Sequence, residues 1–162
     1  KPIIAEVAGT ATAAGCQLVA SCDLAYASSS ANFATPGVNI GLFCSTPMVA
    51  ISRHLSNKHS MDMLLTGELI SSDKAAEIGL IHDFVETGML KYFVSDKAQK
   101  ISKKSSATLK IGKEAFYKQL DMKLSDAYDY ASKVMVQNML KLDAKEGIDA
   151  FIDKREPKWK DK

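Results

Sequence analysis

The sequence has 162 residues, of which 46% are hydrophobic and 25% are charged, and its net charge is +2. This composition is typical of one soluble globular domain and excludes a disordered chain. A chain of this length buries roughly 70% of the surface of its unfolded form, so its core needs no disulfides or metal ions. The basic residues concentrate late in the chain, with 17 Lys and Arg against 11 Asp and Glu from residue 91 onward. We therefore expect an anionic ligand to bind in the second half, and no nucleic-acid partner.

Three cysteines, Cys16, Cys22 and Cys44, lie in the first third of the chain without CxxC or CxxH spacing. An odd number in this arrangement predicts neither a disulfide framework nor a zinc site and favours a reducing compartment. The three histidines also lack metal-ligand spacing, so we predict no bound metal. No apolar run approaches the roughly 20 residues that cross a bilayer, so no membrane partner is expected.

A run of small residues joins the first predicted strand to the first predicted helix. Residues 3–7 form an apolar run that predicts a buried strand, and residues 16–22 are compatible with a helix. Between them, residues 8–15 include nothing larger than threonine. Two interpretations remain open: close packing of the helix on a sheet, or a helix start whose free N–H groups bind a ligand.

The remaining pattern predicts an α/β first half and a wholly helical second half. Strands are predicted at residues 23–28, 32–36 and 80–85. Helices are predicted at residues 46–54, 58–66, 72–78, 89–103, 106–120, 125–140 and 143–155. One of them carries an apolar stripe at intervals of three and four, which indicates a core face or a subunit contact; its members are Leu124, Tyr128, Ala131, Met135 and Met139.

Three blocks of sequence carry a family resemblance, in the same order and spacing. The first comprises residues 1–9 (KPIIAEVAG) with residues 13–18 (AAGCQL), and the second comprises residues 64–71 (LLTGELIS) with residues 75–81 (AAEIGLI). The third is AFIDKR near the C-terminus. Together they resemble the crotonase superfamily, the enoyl-CoA hydratase/isomerase family. A further segment, FATPGVNIGLFC, resembles a mitochondrial branch of that family, which implies a mitochondrial location.

The resemblance implies an α/β fold, a spiral of ββα units followed by helices that build a trimer or a dimer of trimers. It assigns residues 1–88 to the second half of the spiral, with the helix of the oxyanion hole, and residues 89–162 to trimerisation and CoA contact. The chain is expected to be the C-terminal part of such a protein, without its N-terminal segment. The implied ligand is an acyl-CoA thioester; CoA enters as part of the substrate, and no permanently bound cofactor is expected.

Family members hold the thioester oxygen with two backbone N–H groups, one of which corresponds to Ala14. Because the donor is a main-chain group at a helix start, alanine is able to supply it. The two glutamates of the family correspond to Gln17 and Gly37. Glutamine cannot accept a proton from water and glycine has no side chain, so the acid/base pair for hydration is missing.

The same resemblance places an aromatic ring and a lysine beside the adenine and 3′-phosphate of CoA, at positions that match Phe151 and Lys154. A spacing of three predicts that both lie on one helical face. The alternative is that Phe151 belongs to the core and Lys154 faces solvent.

Other side chains near the expected pocket are candidates to replace the glutamates. They are Glu6, Cys16, Asn39, Cys44 and Ser45, with Cys44 a candidate nucleophile or weak acid. The alternative for each is packing, turn formation or a structural pairing. Two main hypotheses follow: an acyl-CoA-processing protein of fatty-acid metabolism without the usual acid/base pair, or a non-catalytic acyl-CoA-binding or assembly partner. A redox or thiol function through Cys44 is a third alternative, and it requires an exposed thiol of low pKa.

Overall fold

A computed structural model describes residues 1–161 as two compact units. The first unit comprises residues Ile3–Ala98, and the second comprises the described residues from Gln99 onward together with Lys1 and Pro2. The boundary between the two units, at residues 98 and 99, falls inside a helix. The division predicted between residues 88 and 89 concerns functional roles, and it stays a prediction. Within the described residues, every helix is too short or too polar to cross a membrane.

The first unit contains two small three-stranded sheets. The strands are β1 (Ile4–Val7), β2 (Ala11–Thr12), β3 (Leu24–Ser28), β4 (Asn32–Ala34), β5 (Ile70–Ser71) and β6 (Asp83–Val85). One sheet has the order β1-β3-β6 and is parallel throughout. The other has the order β2-β4-β5, with a parallel and an antiparallel pair. The pairs β1–β2 and β3–β4 each place one strand in each sheet before the next helix, as in ββα units.

The described part of the chain also contains eight α-helices. They are α1 (Ala14–Ser21), α2 (Ser45–Ile51), α3 (Asn57–Thr66), α4 (Ser72–Glu77), α5 (Leu90–Ser102), α6 (Ser106–Gln119), α7 (Leu124–Met139) and α8 (Leu142–Ile152) among the described residues. Each predicted helix is confirmed to within about three residues at either end. Short 3-10 helices span Pro36–Ile40 and Thr87–Met89.

The predicted strand at residues 80–85 is wrong in its first half. Leu80 and Ile81 are buried, but both of their N–H groups donate to the carbonyl of Ala75 at 2.8 and 3.3 Å. Gly79 turns the chain with a φ of 86°, so the strand cannot begin before this turn is complete. Hydrogen bonding to β3 begins at His82, whose N–H donates to the carbonyl of Ala25 at 2.8 Å, and continues through β6.

The core of the first unit lies where the helices cover the sheets. Its fully buried members include Cys16, Phe33 and Ile51 from α1, β4 and α2. Phe33 is central because β4 pairs with strands on both sides, with Phe33 opposite both Ala11 and Ile70. A second cluster forms around Tyr26, whose ring contacts Phe93 edge to face at 5.2 Å between centroids.

The apolar stripe on α7 is not core in this chain. Leu124 and Tyr128 are 75% and 70% exposed, Met135 and Met139 are also exposed, and α7 has no buried residue. A core face, the first of the two interpretations of this stripe, is therefore wrong within the second unit considered by itself. A subunit contact stays a prediction.

Two carboxylates of α8 hold the segment that follows this helix. Asp143, which is 2% exposed, accepts hydrogen bonds from the Ser105 hydroxyl and from the backbone N–H groups of Lys160 and Asp161. Glu146 accepts two hydrogen bonds from the Arg155 guanidinium, at 2.7 and 3.1 Å, and one from the N–H of Lys158 at 2.7 Å. The hydrogen bonds from Arg155 and then Lys158 lower the pKa of Glu146 to about 2.

Since the folded pKa of Glu146 lies below its ordinary value of 4.5, this group stabilises the fold above that value, and the contribution disappears as the pH falls toward about 2. We expect the wild-type free energy of unfolding to decrease from about pH 6 to about pH 3, and to decrease less in Glu146→Gln. Denaturant unfolding at each pH measures it, with Glu114→Gln on α6 as the matched control. An equal decrease in Glu146→Gln and the wild type would contradict the role of this carboxylate.

Candidate functional site

The start of α1 is fixed by one unusual backbone conformation. Ala13 has φ 47° and ψ −113°, a combination that L-residues rarely adopt, and its N–H donates to the carbonyl of Ala34 at 3.0 Å. Ala13 in turn accepts a hydrogen bond from the N–H of Gln17, so the helix begins at once with Ala14. No side chain caps this helix start. The first-turn N–H groups, including that of Ala14, are thus left for another acceptor.

The surface around this helix start is open. Ala8, Gly9, Thr10 and Ala14 are all exposed. A Cβ on Gly9 would meet no atom within 4 Å, and one on Gly15 would meet only the Cβ of Ala11 at 3.9 Å. Close packing therefore does not require glycine at positions 9 and 15. Of the two interpretations of the small-residue run, the geometry favours access by a ligand to the helix start.

Gln17 and Gly37, the positions of the two family glutamates, differ in the space around them. Gln17 lies one turn into α1 and is partly exposed, so a glutamate, which has the same shape as glutamine, fits there. Gly37 lies in the 3-10 helix Pro36–Ile40, and its carbonyl accepts the N–H of Leu42 at 2.9 Å. A Cβ at position 37 would lie 2.6 Å from the carbonyl oxygen of Leu42 and 2.9 Å from the Sγ of Cys44. The missing carboxylate at this position is thus also sterically excluded.

The 3-10 helix that contains Gly37 is held from the other side by α3. The buried hydroxyl of Thr35 donates to the carbonyl of Met63 at 2.8 Å. Gly67 follows α3 with φ 63°, and a Cβ there would approach the Cα of Pro36 to 3.1 Å. Because backbone contacts fix both sides of this segment, it cannot easily shift to admit a side chain at Gly37.

The other candidates of the first unit separate by burial. Glu6 on β1, Asn39 and Ser45 are exposed, whereas Cys16 and Cys44 are 0% and 9% exposed. None of the three cysteines forms a disulfide. Burial, and secondarily the neighbouring Cys44, raises the pKa of Cys16 to about 12, so Cys16 stays protonated at neutral pH. Within residues 1–161 no group of three or more His, Cys, Asp or Glu side chains is arranged to hold a metal.

Phe151 and Lys154 lie at the end of α8 in the second unit. Phe151 is 84% exposed, which makes a core role wrong, and it borders a largely apolar groove of about 500 Å³. The expectation that both residues share one helical face is wrong, because α8 ends at Ile152. Lys154 instead has φ 53° and donates its N–H to the carbonyl of Phe151, while Arg155 donates to the carbonyl of Ala150. This is the Schellman arrangement with lysine where glycine is usual.

Sequence patterns did not indicate the strain at Ala13 or the steric block at Gly37. The run of small residues before α1 is the one available signal for an unusual backbone at that junction. The block at Gly37 depends on a backbone oxygen five residues later, and no side-chain pattern reports on such a contact.

Replacing Ala13 by glycine removes the Cβ that makes its conformation unfavourable. Strain of this kind costs on the order of 1–3 kcal/mol, of which added backbone entropy offsets part, so we expect Ala13→Gly to raise the free energy of unfolding by about 1 kcal/mol. The matched control, Ala20→Gly in the last turn of α1, should lower it by ~1–2 kcal/mol. Denaturant unfolding measures both, and a loss of stability in Ala13→Gly would show that the conformation carries no strain.

A methyl group at Gly37 would overlap a backbone oxygen. We expect Gly37→Ala to lower the free energy of unfolding by about 2 kcal/mol through overpacking. The control is Gly88→Ala, also in a 3-10 helix, where a Cβ meets nothing within 4 Å. If both variants unfold at the same denaturant concentration, the loop from Leu42 to Cys44 yields more readily than its contacts indicate.

Comparisons with known proteins show the family to which this chain is similar. The family model described as enoyl-CoA hydratase/isomerase matches residues 1–162. A rat protein named "Enoyl-CoA hydratase domain-containing protein 3, mitochondrial" is 52% identical over 158 residues, which are 98% of this chain and 53% of that protein. Mouse and human relatives carry the same name, which supports the mitochondrial location by resemblance. The chain spans about half the length of these relatives.

Two solved crystal structures are also similar to this chain. A crystal structure of the human enoyl-CoA hydratase domain-containing protein 3 has a TM-score of 0.95 at 50% identity and covers 98% of this chain and 62% of its own. An enoyl-CoA hydratase from Mycobacterium smegmatis has a TM-score of 0.95 at 46% identity, with the same coverage. The predicted α/β crotonase fold is thereby confirmed, and the chain belongs to the enoyl-CoA hydratase/isomerase family.

Proposed function

We propose that this chain binds acyl-CoA thioesters and polarises their carbonyl group without the acid/base pair that hydration requires. The observation that carries the proposal is the uncapped, exposed start of α1, where the Ala14 N–H has no side-chain acceptor. A helix start places partial positive charge where a thioester oxygen becomes negative, and backbone donors need no reorganisation during a reaction. Family membership supports the same ligand class.

Binding of the nucleotide part of CoA is assigned to Phe151 and Lys154. The exposed ring of Phe151 offers a stacking surface, and the exposed Lys154, three residues later, supplies a cation at the end of the same helix. The excess of basic residues from residue 91 onward favours the phosphate groups. CoA is part of the ligand in this proposal and not a resident cofactor.

The proposal includes a homotrimer or homohexamer. The apolar stripe of α7 is exposed over its length, and Phe116 of α6 and Ile152 of α8 are also more than half exposed. Apolar residues so numerous on one helical unit favour burial against another copy of the chain.

The second candidate is a non-catalytic acyl-CoA-binding or assembly partner. The steric exclusion of any side chain at Gly37, together with glutamine at position 17, favours it specifically. The two candidates share the binding step and differ in whether any chemistry follows it.

We expect crotonyl-CoA to bind in calorimetry, while the enoyl-thioester absorbance persists because no carboxylate activates water. Isotope-edited infrared spectroscopy of the bound thioester should show its carbonyl stretch at lower frequency than in water, since a backbone N–H polarises it. Phe151→Ala and Lys154→Gly should each weaken binding; glycine suits the positive φ of residue 154, so its loss of affinity is not a loss of fold.

The matched control is Lys133→Ala, an exposed lysine on α7. Hydration at an ordinary enzymic rate would contradict the missing acid/base pair. Absence of binding would contradict both candidate functions.

A further inference from the structure

A cavity of about 430 Å³ lies between α2 and α3, and none of the residues assigned above to acyl-CoA binding lines it. Residues 52–56 connect the two helices. The lining side chains next to this connection are polar, and those one or two turns farther along the helices are apolar. The polar ones are Ser52, Arg53 and Asn57, and the apolar ones include Met48, Met61 and Leu64. Since no acidic side chain of the described residues belongs to the lining, the cavity is cationic at one end and apolar at the other.

Ser60, on the α3 side of this cavity, carries a buried hydroxyl group without a partner. It is 3% exposed, and its Oγ has no hydrogen-bond partner among the described residues. In α1, by contrast, the Ser21 hydroxyl donates to the carbonyl of Gln17, four residues earlier, at 2.8 Å. A buried hydroxyl that lacks such a bond destabilises a fold unless another group supplies it. The Ser60 hydroxyl therefore indicates a polar ligand group at this point of the cavity.

Arg53 supplies a cation at the polar end of the cavity. Its Nη1 donates to the carbonyl of Val49 at 2.9 Å, which holds the guanidinium against the last turn of α2. A guanidinium has five N–H donors, so this bond leaves others that can bind a carboxylate. A carboxylate accepts several hydrogen bonds at once, which suits a site with a cation and a hydroxyl group. The volume of the cavity lies in the range of small-molecule sites.

We propose that this cavity binds an aliphatic monocarboxylate, the anion of a free fatty acid. The carboxylate accepts hydrogen bonds from the Ser60 hydroxyl and the Arg53 guanidinium. The hydrocarbon chain lies along Met48, Met61 and Leu64, and its removal from water drives binding. The charge-assisted hydrogen bonds select the head group. The site is additional to the one at the start of α1, so the inference does not rest on the proposed acyl-CoA function.

Calorimetry with sodium octanoate tests the proposal on the whole chain. One octanoate should bind per chain, and the methyl resonances of Met48 and Met61 should shift in the NMR spectrum during the titration. Acetate lacks the hydrocarbon chain and 1-octanol lacks the charge, so each should bind at least about tenfold more weakly than octanoate.

Ser60→Ala separates binding from folding, because the two effects have opposite signs. Removal of an unpartnered buried hydroxyl should raise the denaturant concentration at the midpoint of unfolding. Removal of the donor should weaken octanoate binding by roughly tenfold or more. The matched control is Ser21→Ala, which lies outside the cavity and should bind octanoate like the wild type.

Arg53→Gln should weaken octanoate binding by roughly tenfold or more, because it removes the charge from the hydrogen bond. The matched control, Lys58→Gln, removes the same charge from an exposed position of α3 outside the lining, and it should change the affinity by less than about twofold. Absence of octanoate binding, or an unchanged affinity in either Ser60→Ala or Arg53→Gln, would overturn this inference. Crotonyl-CoA binding is measured separately, so these results leave the proposed function as it stands.

Discussion

The hydrogen bond from the Ala13 N–H to the Ala34 carbonyl is the contact on which the site depends. It joins the end of β2 to the end of β4 and holds Ala13 in a conformation that turns the chain directly into α1. If Ala13 adopted an ordinary extended conformation, the first turn of α1 would point elsewhere. The exposed N–H of Ala14 is thus positioned by the sheet and not by side chains of the site. Small residues can therefore surround the Ala14 N–H, because its position does not depend on their side chains.

At Gly37 the chain departs from the residue of the family pattern while it keeps the family fold. Backbone and sulfur atoms fill the space in front of this glycine, and α3 supports the segment from behind through Thr35 and Gly67. An acidic residue at position 37 would require the loop at residues 42–44 to move. The packing of several elements therefore excludes the acidic residue that the family pattern has at position 37. Replacement of the glycine alone would not restore the acid, while a carboxylate at Gln17 meets no such obstacle.

Elements with strong periodicity were predictable from the sequence, and contacts set by the backbone were not. The helices from α2 to α8 follow their apolar spacing and their glycine ends closely, as at Gly67. The two-residue strands β2 and β5 were missed, because two residues carry no period. Lys154 was misplaced by the assumption that α8 continues, since a lysine gives no sign of the left-handed conformation that ends this helix. Ala14, Gln17 and Gly37 were located through family motifs, but the distance between Gly37 and Leu42 belongs to the folded chain alone.

The segment held by Asp143 and Glu146 has a consequence for how its sequence is able to diverge. Both carboxylates accept hydrogen bonds from main-chain N–H groups, those of Lys158, Lys160 and Asp161, and Glu146 also binds the side chain of Arg155. Main-chain donors are common to every residue except proline. Positions 158 and 160 are therefore free to drift among nineteen amino acids without loss of the tether, whereas the two acids that receive it are not. The residues that constrain this segment are therefore the two carboxylates of α8, and not the side chains of the segment at positions 158 and 160.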